Sequence, residues 1–63
     1  MKPIKGNTYF IVYNNFDYDS YSGLAVCVDD VKDVDDWYKF LLPDDRTAFF
    51  CEEDILGKAD LNV

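Results

Sequence analysis

A chain of 63 residues has room for one small domain, and a composition that is 49% hydrophobic and 17% aromatic is too apolar for a disordered tail. Thirteen acids against six bases give a net charge of −7, which argues against a surface for nucleic acid or anionic membrane, since both need clustered Lys and Arg. With no His, a Cys–His catalytic pair and a Cys/His zinc site are excluded, and two cysteines are too few for a structural zinc site.

The first residues, "MKPIKGNTYF", carry two lysines but no long apolar stretch and no small-residue cleavage site, so they do not read as a signal peptide. No apolar run approaches the ~20 residues of a membrane span. The expected compartment is the cytoplasm. Cys27 and Cys51 lie inside apolar runs and are expected as free thiols rather than a disulfide.

Residues 8–13, "TYFIVY", are β-branched and aromatic and predict a strand. Residues 14–23, "NNFDYDSYSG", carry turn formers with three aromatics and predict a long loop. Residues 24–28, "LAVCV", predict a second strand, with Leu24, Val26 and Val28 on one face and Ala25 and Cys27 on the other. Residues 29–42 admit two readings. Val31, Val34, Tyr38 and Leu41 fall at helical spacing, with Asp30 as a cap and Pro43 as a stop. Against the helix, "WYKFLL" is bulky and apolar, and Pro43-Asp44-Asp45-Arg46 suits a hairpin turn. The preferred reading is one hairpin over residues 37–51. A single 3-10 turn then falls at "EEDIL", and a short strand within "GKADLNV".

That order of elements resembles a Src-homology-3-like small β-barrel. Asp36-Trp37-Tyr38 looks like the family's paired aromatics opening the third strand, and Ala48-Phe49-Phe50 like its fourth strand. Glu52-Glu53-Asp54-Ile55 falls at its 3-10 turn, and the acidic "DYDSY" at its long first loop. The resemblance covers about two-thirds of the chain and implies a mostly β, five-stranded barrel as one domain. The alternative fold is β-β-α-β with residues 30–42 helical. In peptide-binding members a Pro and a Tyr around the 3-10 turn help form the groove for Pro-rich ligands. Cys51 and Asp54 hold those positions here, which argues against such a ligand. A short acidic chain of this kind also looks like the small barrels of phages and mobile elements, some of which block host enzymes. The host-cell cytoplasm would then be its compartment.

Trp37 and Tyr38 must point to opposite faces of a strand. Tyr38 is expected inward with Phe40, and Trp37 partly exposed as an interface anchor. Tyr13, Phe16, Tyr18 and Tyr21 crowd the first loop. They either lid the barrel or, with Asp17 and Asp19, form a patch for a basic partner; Phe16 suits the lid, Tyr18 and Tyr21 the patch. The run Asp29, Asp30, Asp33, Asp35, Asp36 lacks the central Gly and terminal Glu of a calcium loop. It reads as a solvated loop or as a steering surface. The expected partner-binding residues are Trp37, Tyr18, Tyr21, Asp17, Asp19, Asp33, Asp35 and Asp36, with no catalytic residue, metal, cofactor or small-molecule substrate.

The expected function is non-catalytic protein binding, as a small acidic inhibitor or regulator of a host protein such as a nucleic-acid-processing or defence enzyme. The alternative is a structural module of a larger assembly or virion. "TYFIVY" is apolar on both faces and needs cover on both, which predicts a homodimer.

Overall fold

The computed structural model describes residues 1–14 and 20–59. Five antiparallel strands form one sheet: β1 (Thr8–Asn14), β2 (Ser20–Asp29), β3 (Tyr38–Leu41), β4 (Thr47–Phe50) and β5 (Ile55–Lys58). The strand order is β4-β3-β2-β1-β5, so β4 and β5 are the edges and are not bonded to each other. A 3-10 turn at Glu52–Asp54 carries the chain from β4 back to β5 beside β1. No α-helix occurs among the described residues.

The helical alternative for residues 30–42 fails on burial. A helix would turn Val31 and Val34 onto the core with Tyr38. Both valines are exposed, Val34 at 98%. Tyr38, Phe40 and Leu42 are buried instead while Lys39 is exposed, which is the two-residue period of a strand. The turn that closes this hairpin sets Asp45 at φ 69°, a left-handed conformation that Asp accepts more readily than most residues. The Asp45 N–H donates to the Leu42 carbonyl at 3.0 Å, and the Leu42 N–H to the Arg46 carbonyl at 2.8 Å. Pro43 sits inside this turn, where its missing N–H costs nothing.

Two boundaries differ from the sequence expectation. β2 begins at Ser20, four residues before the expected strand, because Ser20–Gly23 pair with Asn14–Ile11. Ile55 and Leu56 belong to β5 and not to the 3-10 turn, because Ile55 pairs with Ile11 in the core. Leu24, Val26 and Val28 are half-buried on the outward face, while Ala25 and Cys27 are buried.

The core lies on the inward face: Tyr9 and Ile11 from β1, Ala25 and Cys27 from β2, Tyr38 and Phe40 from β3, Leu42, Phe50 and Ile55. The small residues of β2 admit the rings. Cys27 stands opposite Phe40, and Phe40 opposite Ala48. Phe40 meets Tyr9 edge-on at 6.3 Å and Phe50 at 5.5 Å between ring centroids. The buried Tyr9 hydroxyl accepts from the Ile4 N–H at 2.7 Å, so the N-terminal segment is tied to the core. Among the described residues no buried side-chain polar atom lacks a partner.

Candidate functional site

The connection from β2 to β3 carries five carboxylates between Asp29 and Asp36, and three of them brace the loop. Asp29 Oδ1 accepts from the Val31 N–H at 3.0 Å, and Asp30 Oδ2 from the Lys5 N–H at 3.3 Å. Asp33 Oδ1 accepts two, from the Asp35 N–H at 2.9 Å and the Trp37 N–H at 3.0 Å. The Asp33 N–H also donates to the Trp37 carbonyl at 2.9 Å, and Asp36 turns the chain at φ 65°. Side-chain oxygens bonding backbone amides two to four residues on is how Asp builds a turn in place of a regular element.

The braced loop presents Trp37 at the start of β3. Trp37 is half-buried, and its ring meets Tyr13 edge-on at 6.0 Å. Tyr13 in turn packs on Phe50 at 5.6 Å. Asp35 and Asp36, which precede it in the chain, are exposed. Lys32 Nζ lies 3.3 Å from Asp36 Oδ1, and this hydrogen bond pushes the Lys32 ammonium up. Both partners are open to solvent, so the pair adds little to stability.

Of the expected binding residues, Trp37, Asp33, Asp35 and Asp36 are brought together, with Asp33 acting as the brace. Tyr21 stands apart. Its ring stacks on Phe50 at 5.9 Å and its hydroxyl donates to the Leu24 carbonyl, so it is half-buried and its polar end is committed to the chain. Tyr18, Asp17 and Asp19 lie outside the described residues. Tyr13 joins the site although only its crowding with the loop tyrosines marked it in the sequence. The signal was its alternation with Tyr9 and Ile11, which turns it inward toward Phe50 and Trp37.

Asp33→Ala should cost about 1 kcal/mol, the net worth of the lost hydrogen bonds, and should let Trp37 swing into water. Asp33→Asn keeps an acceptor and should not. Trp37 is the single tryptophan, so its fluorescence reads this directly: a red shift in the alanine variant alone is the expected result.

The cysteines take no part in this site. Both are free; Cys27 is buried and Cys51 half-buried. The Cys51 N–H and thiol both donate to Asp54 Oδ2, at 3.0 and 3.2 Å. Burial pushes both thiols above their ordinary 9.0, and at Cys51 the bond to the Asp54 carboxylate pushes the same way. A thiol that holds its proton more tightly when folded contributes stability that is complete below its unfolded value and lost as pH rises through the folded one. The urea midpoint should therefore fall above pH 9.0, and fall less in Cys51→Ala.

Among the described residues no group of three His, Cys, Asp or Glu side chains could hold a metal ion, and no helix is long and apolar enough to cross a membrane. A cleft of ≈380 Å³ lies between β4 and the β1–β2 hairpin, floored by Tyr21, Leu42 and Phe50 and bordered by Arg46. Arg46 is paired with Asp44 and projects no free charge into it. The chain matches no protein-family model, no curated protein and no solved structure, so a reading of its function rests on its own residues.

Proposed function

We propose that the protein is a non-catalytic protein-binding module whose binding face is Trp37 with the carboxylates of Asp35 and Asp36. One observation carries the reading: a half-exposed indole packed on Tyr13, its backbone N–H held by Asp33, directly follows two exposed carboxylates that the loop does not spend on its own backbone. An aromatic anchor ringed by charge gives affinity at the centre and steering at the rim. The net charge of −7 selects a partner with a basic surface.

In its sharper form the proposal is a small acidic inhibitor or regulator of a host protein, of the kind phages and mobile elements encode. It takes the sheet as a Src-homology-3-like barrel. The strand order supports that, as does a β2 long enough to pair β1 along Ser20–Val26 and β3 along Val26–Asp29. Tyr18, Asp17 and Asp19 remain candidates on sequence alone.

The test is affinity capture from a host lysate with the tagged protein and its Trp37→Ala variant, followed by binding of each captured enzyme in purified form. The expected result is one enzyme whose affinity falls about 30-fold or more in the variant and weakens with salt. Capture that the variant and high salt leave unchanged would reject the face. Tight binding of the isolated protein to duplex DNA would reject the class of function.

A further inference from the structure

The outward face of the sheet has a different character from the loops. The pairing register sets Phe10 opposite Leu24, Thr8 opposite Val26, and Val26 opposite Leu41, so one apolar stripe crosses β1, β2 and β3. Phe10 is 48% exposed and Val12 46%. A shallow groove of ≈310 Å³ runs along this stripe, lined by Thr8, Leu24, Val26, Leu41, Pro43 and Asp45. Of the acids among the described residues, the strands hold only Asp29, at the end of β2.

Two charges flank the stripe along the β3 hairpin. Lys39 projects outward at one end of β3, and Asp45 borders the groove beyond the other. Neither enters an ion pair among the described residues. Asp29 stands opposite Lys39, but its carboxylate is engaged with the Val31 N–H.

We propose that this stripe is a self-association face, occupied by a second copy of this chain across a two-fold axis near Val26 and Leu41. A two-fold interface is self-complementary: each contact is made twice. The axis brings the two apolar stripes together and sets Lys39 of each copy against Asp45 of the other. The two flanking charges, one of each sign, favour a second copy as the occupant. Two chains of −7 repel wherever their acidic loops meet, and that repulsion acts within a Debye length of ~8 Å at physiological salt. The stripe keeps those loops at its margins and brings one cation and one anion from each copy into register. A standard interface takes ~800 Å² from each partner, roughly a sixth of the 4621 Å² surface.

Sedimentation equilibrium of the isolated protein, from micromolar to millimolar concentration, tests this without any partner. The mass should rise from 7.3 kDa toward twice that value. Leu41→Asp, which puts a carboxylate on a half-exposed outward position, should weaken the dimer about tenfold or more while leaving the monomer's thermal melting cooperative. Lys39→Gln and Asp45→Asn should each weaken it several-fold, and the double variant no more than either alone, as for a coupled pair. Asn also keeps the left-handed preference at position 45. Monomer mass throughout, dimers that survive Leu41→Asp, or additive effects at Lys39 and Asp45 would overturn the proposal.

Discussion

Replacing Phe40 with alanine should destabilise the fold by about 3–5 kcal/mol, a loss large enough to unfold a domain of this size at the low end of its stability. Phe40 is fully buried, and its ring touches Tyr9 on one side and Phe50 on the other. Its cross-strand neighbours on the inward face are Cys27 and Ala48, both too short to fill the space it would vacate. Truncating a buried Phe costs about 3–5 kcal/mol, from lost transfer energy and the cavity left behind. A domain of this size has about 3–9 kcal/mol in total. The variant therefore loses from about a third to all of that margin, and all of it where stability lies at the low end expected of so short a chain. Leu56→Ala is the matched control, because Leu56 is mostly exposed and should cost well under about 1 kcal/mol. Urea titration followed by Trp37 fluorescence separates the two. A cooperative Phe40→Ala transition close to the wild-type midpoint would mean that the ring stack is not the centre of the core.

The second large effect is expected at Gly23. Gly23 sits in β2 opposite Ile11 with φ 154°, a conformation that residues with a Cβ rarely adopt. A methyl group there would lie 3.1 Å from the Tyr21 hydroxyl oxygen. That hydroxyl is held in place by its bond to the Leu24 carbonyl and by the stacking of its ring on Phe50. Gly23→Ala thus meets backbone strain and a crowded neighbour together, at a cost of about 1–3 kcal/mol. Tyr21→Phe removes the closest atom. The double variant should cost less than the sum of the single ones, by about 0.5 kcal/mol or more. If Gly23→Ala instead stabilised the protein by the ~0.4–1 kcal/mol expected from a less flexible unfolded chain, the backbone at this position would be unstrained.

Both effects bear on function through the same rings. Phe50 touches Phe40, Tyr21 and Tyr13, and Tyr13 touches Trp37. The proposed binding face is therefore seated on the core itself, and its orientation depends on the packing that Phe40 and Gly23 maintain. Asp33 fixes the Trp37 backbone N–H from the loop side. An interface anchor held from two sides loses little freedom on binding.

The amino-acid sequence by itself determined the strands whose reasons are local. β1 is legible in "TYFIVY", where β-branched and aromatic residues crowd six positions. The β3–β4 hairpin is legible in the alternation of Tyr38, Phe40 and Leu42 and in Pro43-Asp44-Asp45. The inward Tyr38 and half-exposed Trp37 follow from the same period of two. Tertiary structure decided the rest, because it depends on partners distant in the chain. Ser20–Gly23 contain turn formers, yet they are strand because β1 supplies a hydrogen-bond ladder opposite them. The helical spacing of Val31 and Val34 was overridden because Tyr38–Leu41 gains more by pairing with β2 and β4 than a helix could by burying two valines. Tyr21 turned inward because Gly23 leaves room for its ring and Leu24 offers a carbonyl. The acidic run was read as charge, but three of its carboxylates serve as backbone acceptors: Asp29 and Asp33 bond amides within the loop, and Asp30 bonds the Lys5 N–H of the N-terminal segment.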